Sequence, residues 1–502
     1  MTSQISWPQT WLLVGVTVLY FLSAASARES NMRVDYGPWQ STPLDDYVRA
    51  PDPHYSFSFL KTISGPGFTL HILNMTSQKW LTEEVTVKPI WWHYLTIIIP
   101  DVINYNDTGF VWIDQGSNTD GIPSLEDPFV ELVTAISVGS KTVGATVKQI
   151  PNQPTVFLKD PERKERKEDA IIAWTWKQFI NNSSFPDILL RLPMTKAVVR
   201  AMDTVTTYVK KVKNYNIGKF MVAGASKRGW TTWTTAAVDK RVIAMAPVVM
   251  DLLNFQKSLH HHYRALGGWT FAFKDYYALN FTEDLDNPNI TRMRAIIDPL
   301  TYNDRYSMPK LIVSASGDEF FMLDDSHYYY DVLQGPKFLK ITPNAEHSLI
   351  GHEMDVMFAL RSFYLSVLTS APFPAFNWTR TQTTTGGKIT VYTSQEPTAV
   401  SVYYATTLSD GRRDFRLLVK GPDGNAFPHP VLWFKDKARR VSAHVYEAEV
   451  ERPQDGWRAF FVQLNYPGRA GTSLELTTET CVVPDTFVFP DCRGLACRGS
   501  LV

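Results

Sequence analysis

The sequence predicts an α/β fold, a doubly wound sheet covered by helices, followed by an all-β, sandwich-like C-terminal region. Three observations predict it. From about Phe68 to Ser370, apolar runs recur at Leu95–Pro100, Phe110–Ile113, Lys219–Ala223, Val242–Met250 and Lys310–Ser316. Continuous apolar runs of this length suit strands buried on both faces, as in a parallel sheet covered by helices. Between the runs lie helix-like stretches over Glu168–Asn181, Pro193–Lys211, Arg228–Val238 and Glu353–Ser370, and strand–helix alternation favours the doubly wound arrangement. After Pro372 the character changes to short strands at Lys388–Tyr392, Val400–Thr406, Asp414–Val419, Val431–Phe434, Val441–Val450, Trp457–Leu464 and Ser473–Thr478. Turn signals such as Gly386-Gly387, Ser409-Asp410-Gly411 and Pro422-Asp423-Gly424 punctuate them, the rhythm of a β-sandwich.

At 502 residues the chain exceeds one ordinary core. The expected division is a leader over residues 1–27, an α/β domain over 28–372 and the β domain over 373–502. Residues 251–308 interrupt the strand rhythm with aromatic sequence such as Gly267-Gly268-Trp269 and are expected to form a cap or a packed surface excursion. The mixed-charge run Lys159–Asp169 is expected as a solvated loop leading into a helix. Trp91-Trp92-His93-Tyr94 is expected in the core or an interface.

Hydrophobic residues make up 44% of the chain and charged residues 20%, a globular balance. Fifty basic residues offset fifty acidic ones, so nucleic acid is not an expected partner. The apolar run Trp11–Leu22 followed by Ser-Ala-Ala-Ser-Ala has the form of a signal peptide cleaved before Arg28. The run is shorter than the ~20 residues a bilayer span needs, so no stable membrane insertion is expected after cleavage. Asn74, Asn106, Asn181, Asn182, Asn280, Asn289 and Asn377 each open an Asn-X-Ser/Thr triplet. Behind such a leader they point to a secreted glycoprotein. Only Cys481, Cys492 and Cys497 carry sulfhydryls; an exported chain can close one bridge among them, and a zinc site is disfavoured because no histidine accompanies the group in sequence. His260-His261-His262 is read as a surface or cap-packing feature, since adjacent histidines on a regular element point apart. No Gly-rich phosphate loop, thiol pair or paired-carboxylate motif appears, and no cofactor or metal is expected.

The chemistry-bearing feature is Gly224-Ala225-Ser226-Lys227-Arg228-Gly229, between the strand candidate KFMVA and the helix-like KRGWTTWTTAAV. A serine there can occupy a sharp strand-to-helix turn that projects its hydroxyl above the sheet and aims the helix N-terminus at it. The usual pattern is Gly-X-Ser-X-Gly; here the second glycine comes one place late and Arg228 fills its slot. A serine nucleophile needs a base and an orienting carboxylate, in the chain order Ser, Asp/Glu, His. Asp318, after the Lys310–Ser316 run, is the candidate carboxylate, with Glu319, Asp324 and Asp325 as rivals. His347, in the loop after Phe338–Thr342, is the candidate base, ahead of His352 and His327. The backbone amide of Lys227 and an amide at Gly116, after Phe110–Ile113, are the candidate oxyanion donors. The Lys227 side chain either adds positive charge there or faces solvent.

Several stretches resemble the PhoPQ-activated pathogenicity-related protein family, which includes secreted proliferation-repressing members. They are Leu44-Asp45-Asp46-Tyr47-Val48, Met75-Thr76-Ser77-Gln78-Lys79-Trp80, Gln149-Ile150-Pro151-Asn152-Gln153-Pro154, Trp174-Thr175-Trp176-Lys177-Gln178-Phe179 and Leu192-Pro193-Met194. The elbow through Trp230, Gly317-Asp318-Glu319-Phe320-Phe321 and Asp414-Phe415-Arg416 also look like that family's. The resemblance implies an α/β-hydrolase fold with a C-terminal β domain, and in it the late glycine is normal. Gln115-Gly116-Ser117 departs from a region where the family looks richer in glycine.

Two functions follow as expectations. One is a secreted serine hydrolase acting on a small-molecule ester or peptide bond through Ser226, His347 and Asp318. The other is a secreted signalling protein on a hydrolase scaffold, engaging a cell-surface receptor without required catalysis.

Overall fold

The computed structural model describes residues 40–502; the leader expected over residues 1–27 lies outside the described residues. Helix α1 (Pro43–Arg49) precedes a hairpin of β1 (Ser56–Gly65) and β2 (Phe68–Lys79). There follow β3 (Ile90–Pro100), β4 (Tyr105–Ile113), α2 (Pro128–Ser140), β5 (Thr142–Val147), α3 (Asp169–Asn181) and α4 (Arg191–Lys213). The second half of the α/β region is β6 (Lys219–Ala225), α5 (Lys227–Val238), β7 (Val242–Val248), α6 (Phe255–Leu266), α7 (Lys274–Ala278), α8 (Pro288–Ile297), β8 (Lys310–Ala315), β9 (Lys337–Thr342) and α9 (Glu353–Leu368).

These strands form one sheet in the order β1-β2-β3-β5-β4-β6-β7-β8-β9. Strands β5, β4, β6, β7, β8 and β9 run parallel, whereas β1, β2 and β3 are antiparallel. The β3-β5-β4-β6 crossing and the parallel run to β9 make this an α/β-hydrolase fold. Strand β5 is buried at every residue and β6 at five successive ones, as strands covered by helices on both faces must be. Helices α3, α4 and α5 pack on one face, and α2 and α9 on the other.

Residues 251–308 hold α6, α7, α8 and three short 3-10 segments, and they pack beside Ser226. The three histidines of α6 are buried and point to different partners. His260 meets Asp491, His261 meets Asp324 and Asp325, and His262 accepts from the Thr270 amide.

The C-terminal strands are β10 (Phe376–Gln382), β11 (Gly386–Thr393), β12 (Ala399–Thr406), β13 (Leu418–Lys420), β14 (Ala426–Pro428) and β15 (Phe434–Lys437). They continue with β16 (Arg439–Ser442), β17 (Val445–Glu451), β18 (Arg458–Pro467), β19 (Ser473–Thr477) and β20 (Cys481–Val483). One layer is β10-β11-β17-β16; the other, β19-β18-β12-β15, extends the main sheet, because β19 pairs with β9 at Thr477 and Leu339. Ile389 and Val450 of the first layer share an apolar cluster with Val402, Phe460 and Leu476 of the second. The same cluster runs on to Phe338 and Phe363, so the core crosses residue 372 without a break.

Three strand expectations change. Asp414–Val419 is strand only from Leu418, because Arg416 turns back onto Asp414 in a buried ion pair (Nε to Oδ1 2.8 Å). Val431–Phe434 is strand only from Phe434; the Val431 amide donates to His429 O instead of a ladder partner. Val441–Val450 splits into β16 and β17 about a tight turn. The charged run is also not wholly solvated: Asp160 and Arg166 form a buried pair at 2.7 Å. Cys492 and Cys497 form a disulfide, leaving Cys481 as a buried thiol. His260 does lie against that disulfide, with one of its nitrogens within 4.8 Å of both sulfurs, a proximity that sequence spacing conceals.

The last residues return to the cap. The Trp269 amide donates to Ser500 O and the Val502 amide to Trp269 O, both at 2.8 Å. Arg416 Nη1 holds Val502 O at 3.1 Å. A side chain at Gly268 would collide with Ser500 O at 2.6 Å, so glycine permits this approach.

Candidate active site

Strand β6 delivers Ser226 at its C-terminal end, immediately before α5. The Ser226 backbone has φ +57° and ψ −126°, a conformation that side-chain-bearing residues rarely adopt. It persists because both flanks are pinned. The Ser226 amide donates to Val248 O on β7 at 2.8 Å, and its carbonyl accepts from the Trp230 amide at 3.0 Å. The late glycine has a packing reason: a Cβ at Gly229 would lie 2.8 Å from Met250 Cβ and 2.9 Å from Val248 O. Arg228, in the usual glycine slot, is used as a bolt, with Nε donating to Ile150 O at 2.6 Å and Nη2 to Glu168 at 2.5 Å.

The loops after β8 and β9 bring the other two residues to this point. His347 Nε2 is 2.8 Å from Ser226 Oγ. His347 Nδ1 lies 2.9 and 2.8 Å from the two carboxylate oxygens of Asp318. The same Asp318 Oδ1 accepts from the Phe320 amide at 2.7 Å and the Phe321 amide at 3.2 Å, which holds the carboxylate in place beside the ring. Burial pushes the His347 pKa down, but Asp318 and Glu319 together outweigh it and the net shift is upward. Phe320 and Phe321 wall the imidazole, with ring centroids 4.4 and 5.6 Å away.

Of the rivals, Glu319 belongs to the site in another role: its carboxylate accepts the His347 backbone amide at 3.0 Å. Burial, then the neighbouring Asp318 charge, raises its pKa to about 7. Asp324 and Asp325 are engaged with His261. His327 contacts Thr480 O and His352 contacts Asn344 O.

The Lys227 side chain neither enters an oxyanion position nor faces solvent. Its ammonium bridges Glu168 and Asp169, at 3.0 Å each. Glu168, at the end of the charged run that offered no motif, also takes Gln153 Nε2 at 2.5 Å. Burial opposes ionisation of Glu168, but Arg228 and Lys227 together hold its pKa far below the usual range. On the β4 loop, Asp114 and Gln115 present themselves to the cleft at Ser226. Gly116 has φ +132° and gives its carbonyl to Gln153 Nε2 at 3.1 Å. The Gln115 amide is taken by the Asp114 carboxylate at 2.7 Å.

Ser226 stands between two spaces. One is an open cleft lined by His347, Gln115 and Glu168. The other is a smaller cavity, with about 40 Å³ of room for the centres of water-sized spheres, whose walls include Trp176, Trp230, Trp269, Phe273, Tyr276 and Phe281. Periodicity could not assign these aromatics to one cavity, because α3, α5 and the cap contribute them separately.

Of the sequon asparagines, Asn106, Asn181, Asn182, Asn280 and Asn377 are exposed, while Asn74 and Asn289 are half-buried. Asn289 donates its side-chain amide to Ile180 O at 2.8 Å.

Among solved structures, the chain is similar to an acetyl xylan esterase from Paenibacillus sp. R4 at 14% identity, with TM-score 0.45, covering 66% of this chain and 97% of that one. It is also similar to acetyl xylan esterase 1 from Thermoanaerobacterium sp. JW/SL YS485 at 13% identity, with TM-score 0.44, covering 64% and 91%. Over 465 residues it is 39% identical to autocrine proliferation repressor protein A of Dictyostelium discoideum, covering 90% of this chain and 92% of that protein. Residues 44–416, which carry the elbow, the aspartate loop and the histidine, match the PhoPQ-activated pathogenicity-related protein profile, and the chain belongs to that family.

Proposed function

We propose that the protein is a secreted serine hydrolase that cleaves carboxylic ester or peptide bonds through Ser226, His347 and Asp318. The observation that carries the reading is the unbroken hydrogen-bond line from Ser226 Oγ through His347 to Asp318, each step at 2.8 Å. In the first half-reaction Ser226 Oγ adds to the substrate carbonyl while its proton passes to His347 Nε2. The imidazolium, facing Asp318 through Nδ1–H, then protonates the leaving group as the carbonyl–heteroatom bond breaks. Water repeats the sequence on the acyl-enzyme: His347 takes its proton, the ester to Ser226 breaks, and Ser226 recovers a proton. The amides of Lys227 and Gly116 are assigned to the tetrahedral oxyanion, with the Lys227 amide at the first position of α5, where the helix dipole adds positive potential.

The leader-like N-terminus and the exposed sequons support export and glycosylation. A fluorophosphonate probe is expected to label the mature protein on Ser226, and Ser226→Ala to abolish labelling while the protein stays folded. A folded sample that takes no label overturns the reading. The similarity to a proliferation repressor favours a second one, receptor signalling on the same scaffold. Growth repression by the Ser226→Ala protein equal to that by the native chain would support it.

A further inference from the structure

The two spaces at Ser226 are chemically unlike, and the position of His347 divides them between the two halves of a substrate. A leaving-group oxygen must receive its proton from His347 Nε2, so it must lie on the side His347 faces. His347 lines the open cleft and is absent from the walls of the aromatic cavity. The leaving alcohol therefore has a direct path to solvent. The acyl part, which stays bound to Ser226 through the second half-reaction, is left with the aromatic cavity.

That cavity is built for an apolar guest. Trp176, Trp230 and Phe281 cluster with ring centroids 5.1 to 5.7 Å from Trp176, and Leu252, Leu259 and Leu285 complete the wall. Its charged edge is already satisfied: Asp169 accepts the Tyr276 hydroxyl at 2.9 Å and faces the Lys227 ammonium at 3.0 Å. A charged guest would find no free partner in those two groups, whereas an apolar one needs none. The free space, about 40 Å³ measured at the centres of water-sized spheres, is about three times what one water molecule needs, more than the methyl of an acetyl group fills.

We propose, building on the hydrolase reading, that this cavity is the acyl pocket and that the substrates are esters of medium-chain or arylalkanoic acids rather than acetate esters. Each buried methylene is expected to raise kcat/KM by about fourfold, the equivalent of about 0.8 kcal/mol. The folded protein is assayed on p-nitrophenyl acetate, hexanoate and phenylacetate. Hexanoate and phenylacetate are expected to exceed acetate at least tenfold in kcat/KM. Leu252→Trp, which fills the cavity, is expected to reduce the hexanoate value at least tenfold more than the acetate value. Should that variant not fold, the native protein supplies the same information. 2-Phenylethylboronic acid should suppress fluorophosphonate labelling at a concentration at least tenfold below that needed for methylboronic acid. Acetate turnover equal to or above hexanoate, or equal potency of the two boronic acids, overturns the acyl-pocket assignment while leaving the labelled serine standing. A folded protein with no label on Ser226 removes the hydrolase reading and the pocket with it.

Discussion

Single residues at the site carry conformations and charges that make sense only together. Ser226 holds a left-handed backbone that costs of order 1–3 kcal/mol in isolation, and the bonds to Val248 and Trp230 keep it there. Glu319 sits beside the Ser226–His347–Asp318 line without joining it, and its charge helps to hold the His347 pKa up. Replacing it in Glu319→Gln keeps an acceptor for the His347 amide but removes that charge. The imidazolium is then less favoured, so the acid limb of the kcat/KM profile should move to lower pH. In the native protein His347 must be neutral to act as base, so activity falls as pH drops through a pKa above the ordinary histidine value. A pH–rate profile on p-nitrophenyl hexanoate checks both; an unmoved limb in the variant contradicts the assignment. Ser226, Asp318 and His347 were legible because each ends an apolar strand run. Glu168 was not, because it follows a run of mixed charge whose neighbours 161–165 are exposed, and nothing local marks it as a residue that folds back on the elbow.

At the scale of elements, the elbow is a strand and a helix packed too closely for side chains at their crossing. Gly229→Ala would press a methyl against backbone Val248 O, and because backbone cannot rotate away, β7 or α5 must shift. A loss of about 1–3 kcal/mol is expected, read as a lower thermal midpoint, accompanied by weaker fluorophosphonate labelling. The parallel strands other than β5 were legible as apolar runs because burial on both faces removes alternation. The antiparallel hairpin of β1 and β2, the helix α2 and the strand β5 were not singled out. Beyond residue 372 the strand boundaries drifted where Asp414–Arg416 and the turn after Ser442 break the ladder, since buried ion pairs and bends leave no period-two signature.

Across the whole molecule, charge networks tie cap, α/β core and β layers together. His261 of the cap lies between Asp324 and Asp325, and Arg413 of the C-terminal region joins Asp324 and Asp485. Burial disfavours protonated His261, but the two aspartates outweigh it and raise its pKa from 6.5 to about 9. A raised histidine pKa contributes stability that is complete below 6.5 and lost as pH climbs through about 9. His261→Gln should therefore flatten the difference in stability between pH 6.5 and 9 relative to the native protein. Parallel denaturant curves at the two pH values test this, and identical pH dependence in both proteins refutes it. The two-region plan was readable from composition. That β19 would zip onto β9 and continue the sheet was not, because strand neighbours distant in sequence are chosen by packing.

The strap of Ser500 to Val502 across Trp269 links residues distant in sequence to a wall of the aromatic cavity. Proline in place of Val502, which lacks the amide proton bonded to Trp269 O, would loosen that wall from outside. Losing the bond would alter which guests fit without touching a single group that handles protons.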